Sequence, residues 1–395
     1  MTTIVYYTFG DMLPTTVGNK RAMFEYFRHI VRFPNVRLRL VIIGEVPWEH
    51  RKTYQDMGAE LCVIPPNARW SLWELANKII CRIGMDVDRV RFSAKGYRRA
   101  FCAACEGADL ILMTYACWYG LLPKEMLKKT VVITHDILFW RRLSVVGSRG
   151  LNKITYMLNK HAELKCLRRF GKIAVLGDYE KNLLVKNGIA QEDVICIGVP
   201  LYVPRPDPNV SKQIKYDFLF VGGCGVANMT AITCFFDRVV PLLPRNRSIT
   251  IGLAGKSANS PLLSILRIPE NVHLIKIGFV DDMEPVFAAS RIGIGTVMMG
   301  SGVKVKVVEM AMHYLPVIVS NKGAEGIPLK GTGVVNIEED DESEIRRRIA
   351  CWLDDESAAR KDGFETGEAV RIAFDPNVCL NPLRKIIEAA GCNVL

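Results

Sequence analysis

The sequence has no run of about 18 apolar residues, so it encodes no helix of the kind that crosses a bilayer. It has no charged start before its first apolar run. Met1-Thr2-Thr3-Ile4-Val5 leads straight into a β-rich stretch, which reads as a first strand and not as a secretory leader. Metal-ligand spacing is missing as well. The 12 cysteines are scattered, and the one close pair, Cys102 and Cys105, lies in a helical stretch with no second pair and no histidine cluster. That pattern points to reduced thiols on buried faces in a cytosolic protein, and away from a disulfide scaffold or a zinc site. No G-x-G-x-x-G dinucleotide fingerprint occurs, and no nucleic-acid reader module is recognisable.

What is present is a chain of 395 residues with 49% apolar residues, enough for two or three domains with ample core. Its net charge of +11 is unevenly spread. Residues 1–210 hold 31 Lys+Arg against 19 Asp+Glu, and the remainder 21 against 22. The excess sits in clusters at Arg89, Arg91, Lys95, Arg98, Arg99 and at Lys165, Arg168, Arg169, Lys172. Such an asymmetry points to an anionic partner for the first half, with solvated helix faces as the plain alternative. Asp86-Val-Asp88 is a D-x-D triplet without a flanking strand pattern and reads as a loop.

Short apolar runs alternate with helical periodicity through both halves, the pattern of two parallel-sheet domains. Strands are expected at 4–8, 36–43, 61–64, 108–114, 129–134, 172–176 and 194–197. After them a linker rich in proline runs from Pro200 to Lys212. A second series follows at 216–221, 248–254, 272–274 with 277–280, 291–295, 317–319 and 333–335. The first-half strand 129–134 ends at His135-Asp136, where ligands bind in open α/β sheets. The next unit along the chain is organised around Gly300-Ser301-Gly302-Val303-Lys304-Val305-Lys306-Val307-Val308-Glu309. Its glycines allow close backbone approach to a ligand, and Val303, Val307, Met310, Ala311 and Tyr314 recur at helical spacing. A helix that opens there offers N–H groups and a positive dipole end to an anion such as a diphosphate.

The run G-S-G-V-K-V-K-V-V-E-M-A, followed by L-P-V-I-V-S and G-A-E-G-I, resembles the donor-site signature of GT-B glycosyltransferases, in particular the large retaining family 4. Further resemblances are V-V-I-T-H-D-I, I-G-V-P before the linker, F-V-G-G with N-x-x-A after it, and G-x-V-x-D-M at 278–283. The resemblance implies two Rossmann-like parallel-sheet domains facing a cleft. Residues 1–203 would form the acceptor-side domain, 213–375 the nucleotide-sugar donor domain, and 376–395 a C-terminal helix packing back on the first domain. It also implies His135 on the transferred sugar, Lys304 or Lys306 on the phosphates, and Glu309 on the ribose. Gly18, Gly222, Gly223, Lys256, Val280, Ser301, Gly302 and Val303 would complete the donor site.

The expected activity is metal-independent, retaining transfer of a sugar from a nucleotide-diphosphate sugar to a glycan or lipid-linked acceptor, as in bacterial envelope or exopolysaccharide synthesis. No cofactor is expected beyond the donor substrate, and nucleic acid is not an expected partner. The protein is expected in the cytoplasm, with its basic first half in peripheral contact with the anionic inner face of the membrane. The sequence departs from the family pattern in three places. Only Gly18 stands where a glycine-rich loop is usual, the arginine and lysine common after the first donor-domain strand are missing, and Ser301 replaces the first glutamate of E-x7-E. A nucleotide-sugar 2-epimerase or a non-catalytic GT-B scaffold are the alternatives.

Overall fold

A computed structural model of the chain describes residues 1–15, 18–66, 97–141, 151–206, 213–300 and 302–392. The chain divides into two units, Met1–Leu201 with Pro376–Leu395, and Tyr202–Asp375. The Asp86-Val-Asp88 triplet and the cluster Arg89, Arg91 and Lys95 lie outside the described residues.

The first unit holds seven strands: β1 (Thr2–Phe9), β2 (Val36–Ile43), β3 (Glu60–Ile64), β4 (Leu110–Thr114), β5 (Thr130–Ile133), β6 (Lys172–Val175) and β7 (Val194–Cys196). They pair in the order β3-β2-β1-β4-β5-β6-β7, each neighbour parallel to the next. Central strands such as Leu110–Thr114 and Thr130–Ile133 are buried along their whole length, which is why they read as unbroken apolar runs. The helix Pro376–Cys392 belongs to this unit and lies against β1 and β7, burying Leu380, Leu383 and Ile387. Cys105 sits in the apolar core beside Phe101, while Cys102 donates to the carbonyl of Leu121.

The second unit holds β8 (Tyr216–Val221), β9 (Ile249–Ala254), β10 (Val272–Gly278), β11 (Ser290–Gly295), β12 (Val317–Val319) and β13 (Val334–Asn336), in the order β10-β9-β8-β11-β12-β13. Both sheets place a switch in strand direction of connection near their middle, where open α/β sheets bind ligands outside the carboxyl ends of the strands. Two elements differ from the sequence reading. The pieces expected at 272–274 and 277–280 are replaced by one strand, Val272–Gly278, with a register shift between Lys276 and Gly278, and 279–280 fall in the loop after it. The charged stretch 340–374 divides into helices Glu342–Asp354 and Glu356–Ala373, because Asp355 leaves the helical region and its carboxylate accepts the N–H groups of Ser357 and Ala358.

Candidate active site

In the second unit the loops at the carboxyl ends of β8 to β11 are laced together by their backbones. Gly222 donates to Ala254, Ser257 donates to Gly222 at 3.0 Å, and Gly255 donates to Gly278 at 2.6 Å. Gly255 has φ +87°, and a Cβ there would stand 2.5 Å from the carbonyl oxygen of Gly222, so only glycine fits. This edge gathers Gly222 and Gly223 after β8, exposed Lys256 after β9, and half-buried Val280 after β10.

The loop after β11 reaches the same edge. Gly300 and Gly302 take φ of +104° and +76°, and the helix Val305–Met312 follows, with Lys304 at its N-cap. The helix therefore opens two residues later than the periodicity from Val303 predicts, because Gly302 and Lys304 are not helical. Among the described residues no side chain caps this end, and no acidic residue lies in its first turn. Its dipole and N–H groups are left for another anion. Ser301 lies outside the described residues.

The two lysines part company here. Lys304 folds back on the carbonyl of Gly302. Lys306 turns inward across the loops, donates to Asn228 Oδ1 at 2.6 Å and lies 4.3 Å from the centre of the Phe220 ring. Its stem is half-buried, but its ammonium is enclosed, and that burial, with Lys304 nearby, pushes it down to about 7. Asn228 belongs to the helix Val226–Arg238, whose side chain also stands where a Cβ on Gly222 would collide. The F-V-G-G loop and the G-V-K-V-K helix are thus one structure. Glu309 is half-buried on the third position beyond Lys306, and its carbonyl accepts from His313.

In the first unit His135 follows β5, one residue after Thr134, whose N–H and hydroxyl both bond to Ala174. The imidazole is 6% exposed, neither of its nitrogens has a partner among the described residues, and burial pushes it down to about 4. It is a neutral ring flanked by Tyr115 at 5.1 Å and Tyr26 at 6.0 Å between centroids. Tyr115 has φ +64°, uncommon for an aromatic residue, and its hydroxyl accepts from Asn19, next to Gly18 at the start of helix Gly18–Ile30. The structure therefore brings Gly18 and His135 to one edge through Asn19 and Tyr115. The turn beyond His135 is held by Glu163, whose carboxylate accepts the N–H groups of Leu138 and Phe139 at 3.0 and 2.8 Å, and Asp136 pairs with Arg141 at 2.8 Å.

Three residues escaped the sequence reading as site members: Asn228, Tyr115 and Glu163. Each acts through a partner distant in sequence, 78 positions away for Asn228 and Lys306. Only Asn228 left a local trace, the N-x-x-A after the glycines.

Residues 215–355, wholly inside the second unit, match the family model described as glycosyl transferases group 1. The second unit is thus similar to the group 1 glycosyltransferases over most of its length. None of the curated proteins matches the sequence. Among solved structures, Anabaena HepE in complex with UDP-glucose aligns with a TM-score of 0.66 and 12% identity over 98% of this chain and 100% of that one. The sucrose-phosphate synthase of Thermosynechococcus elongatus aligns at 0.65 and 12% over 100% of both chains. A glycosyltransferase of Rickettsia africae aligns at 0.61 and 12% over 98% of each. These likenesses establish the GT-B fold, with two Rossmann-like parallel-sheet domains.

Proposed function

We propose that the protein is a retaining, metal-independent glycosyltransferase of family 4 type. It moves a sugar from a nucleotide-diphosphate sugar onto a glycan or lipid-linked acceptor, in bacterial envelope or exopolysaccharide synthesis. The observation that carries the donor half is Lys306. A buried ammonium whose only hydrogen-bond partner among the described residues is an amide oxygen, at a helix N-terminus without a side-chain cap among them, has no counter-ion among those residues. A diphosphate supplies one. As the bond from sugar C1 to phosphate breaks, negative charge builds on the leaving diphosphate, and Lys306, Lys304 and the helix end offset it without a metal. Glu309 accepts ribose hydroxyls, Gly222, Gly223, Lys256, Val280, Gly302 and Val303 surround the nucleotide, and neutral His135 meets the sugar with Gly18 nearby.

Thermal unfolding with UDP, GDP, ADP, CMP and their sugar conjugates tests this reading. HepE was solved with UDP-glucose, so uridine nucleotides come first. Saturation at about a hundred times Kd adds about 2.7 kcal/mol to wild type. Lys306→Gln and Glu309→Ala are expected to lose most of that gain. No stabilisation by any nucleotide would sink the donor assignment and leave a GT-B scaffold.

The acceptor side of the proposal includes contact with an anionic membrane surface. Its support is the helix Leu151–Leu167, which exposes Ile154, Met157 and Leu158 beside Lys153, Lys165 and the following Arg168. The one acid of that helix, Glu163, is buried. An exposed face with apolar and cationic side chains and no acid suits the interface of an anionic bilayer.

A further inference from the structure

The second unit carries a cavity of about 380 Å³ that the donor reading leaves unused. It lies at the opposite edge of the sheet from the donor loops, against Ser290, where β11 begins, and Pro316, just before β12. Its walls are aromatic: Phe287 with His313 stacked on it at 4.2 Å, and Tyr314 with Phe364 at 4.9 Å. Three arginines border it, and two are already matched by carboxylates, Arg205 by Glu368 at 2.7 Å and Arg360 by Glu356.

The third, Arg291, is different. Its Nη1 donates to the carbonyls of Trp352 and Leu353, while its Nε–H is buried and has no acceptor among the described residues. A guanidinium bordering the cavity, with no carboxylate partner among the described residues and flat apolar walls beside it, matches a small planar molecule carrying one negative charge. The volume falls in the range of small-ligand pockets.

One wall of this cavity is also the far end of the donor helix. His313 caps Val305–Met312, its Nδ1 lies 2.8 Å from the carbonyl oxygen of Glu309, and its Nε2 lies 2.6 Å from Glu284. Glu284 opens the short helix that follows the loop carrying Val280. The helix spans about 12 Å, and its other end holds Lys306. A molecule seated against Phe287 and Tyr314 presses on the residue that ties both donor-side segments together.

We propose that this cavity binds a small aromatic carboxylate, and that its occupancy changes nucleotide affinity at the donor edge. The coupling rests on the donor reading above; the binding does not. Saturation-transfer NMR on the full chain with 2-naphthoate, and with neutral 2-naphthol as control, tests the site. Naphthoate is expected to bind wild type at least tenfold more tightly than naphthol. Ala359→Trp, which fills the cavity, is expected to abolish binding of both, and Arg291→Gln to remove the preference for the anion. Cooperative thermal unfolding of each variant shows that it has folded.

Saturating naphthoate is expected to change the Kd of the stabilising nucleotide about fivefold or more. No signal with wild type, or a signal that survives Ala359→Trp, overturns the site. Binding with an unchanged nucleotide Kd overturns the coupling. If no nucleotide binds at all, the donor reading fails while the naphthoate result still decides the cavity.

Discussion

At the scale of single residues, the proposed chemistry rests on two groups whose charge is set by burial. Lys306 is held well below the ordinary lysine range, at about 7. Between about pH 7 and that range the unfolded chain carries the proton and the folded chain does not, so this lysine makes folding stability rise with pH across the window. Its unfavourable effect is greatest below about 7. Binding of an anion runs the other way, because a diphosphate needs the charged ammonium. Nucleotide affinity is therefore expected to weaken above about pH 7, by up to about tenfold per unit. Calorimetry at pH 6 and pH 8.5 checks this, and Lys306→Arg, charged throughout, should flatten the profile. His135, pushed down to about 4, stays neutral over the same range and adds no pH dependence. His135→Ala is expected to slow transfer about tenfold to a hundredfold in a single-turnover assay, with nucleotide stabilisation intact.

At the scale of elements, positions near the sites are held by groups that do no chemistry. Glu163 is pushed up to about 7 by burial, and its carboxylate still accepts two backbone N–H groups of the turn beyond His135. Glu163→Leu leaves the buried N–H of Phe139 and the part-buried N–H of Leu138 without this acceptor and is expected to cost about 2–4 kcal/mol in denaturant unfolding, while Glu163→Gln keeps an oxygen there and costs less. Gly255→Ala forces a side chain into a left-handed conformation against the carbonyl of Gly222. A loss of about 2 kcal/mol or more is expected in the same measurement, together with weaker nucleotide binding.

Much of this level was legible in the sequence. The central strands announce themselves as apolar runs, because parallel strands buried on both faces need no polar alternation, whereas the edge strand β10 carries His273 and Lys276 and stays partly exposed. The glycine-rich loop and helix were legible too. Which lysine turns inward was not, since that depends on where Asn228 stands across the loops. Nor was the left-handed Tyr115, because nothing local favours an aromatic residue there. The start of the donor helix was displaced by two residues because hydrophobic periodicity runs on through Val303, where the backbone has not yet become helical.

At the scale of the whole molecule, charge and chain order matter most. The excess of basic residues in the first half was plain from composition; that the exposed face of Leu151–Leu167 joins cations to Ile154 and Met157 needed the fold. Co-sedimentation with vesicles containing phosphatidylglycerol is expected at low salt and should fall as salt rises. The double substitution Ile154→Glu and Met157→Glu should abolish it. Full retention of wild type in solution would remove the membrane from the proposal.

The first unit is closed by a helix that the chain reaches only after the whole second unit. Gly198 lies so near Cys379 that a Cβ there would meet its sulfur at 2.8 Å. During synthesis, strands β1 to β7 therefore leave the ribosome with the surface for Pro376–Cys392 still bare. The second unit, contiguous from Tyr202 to Asp375, has all of its residues before that helix is made. The order of maturation is then inside out: the inserted domain completes first and the flanking one last. In the interval between them the nascent chain exposes the apolar surface that Leu380, Leu383 and Ile387 later cover, a site for a chaperone to hold.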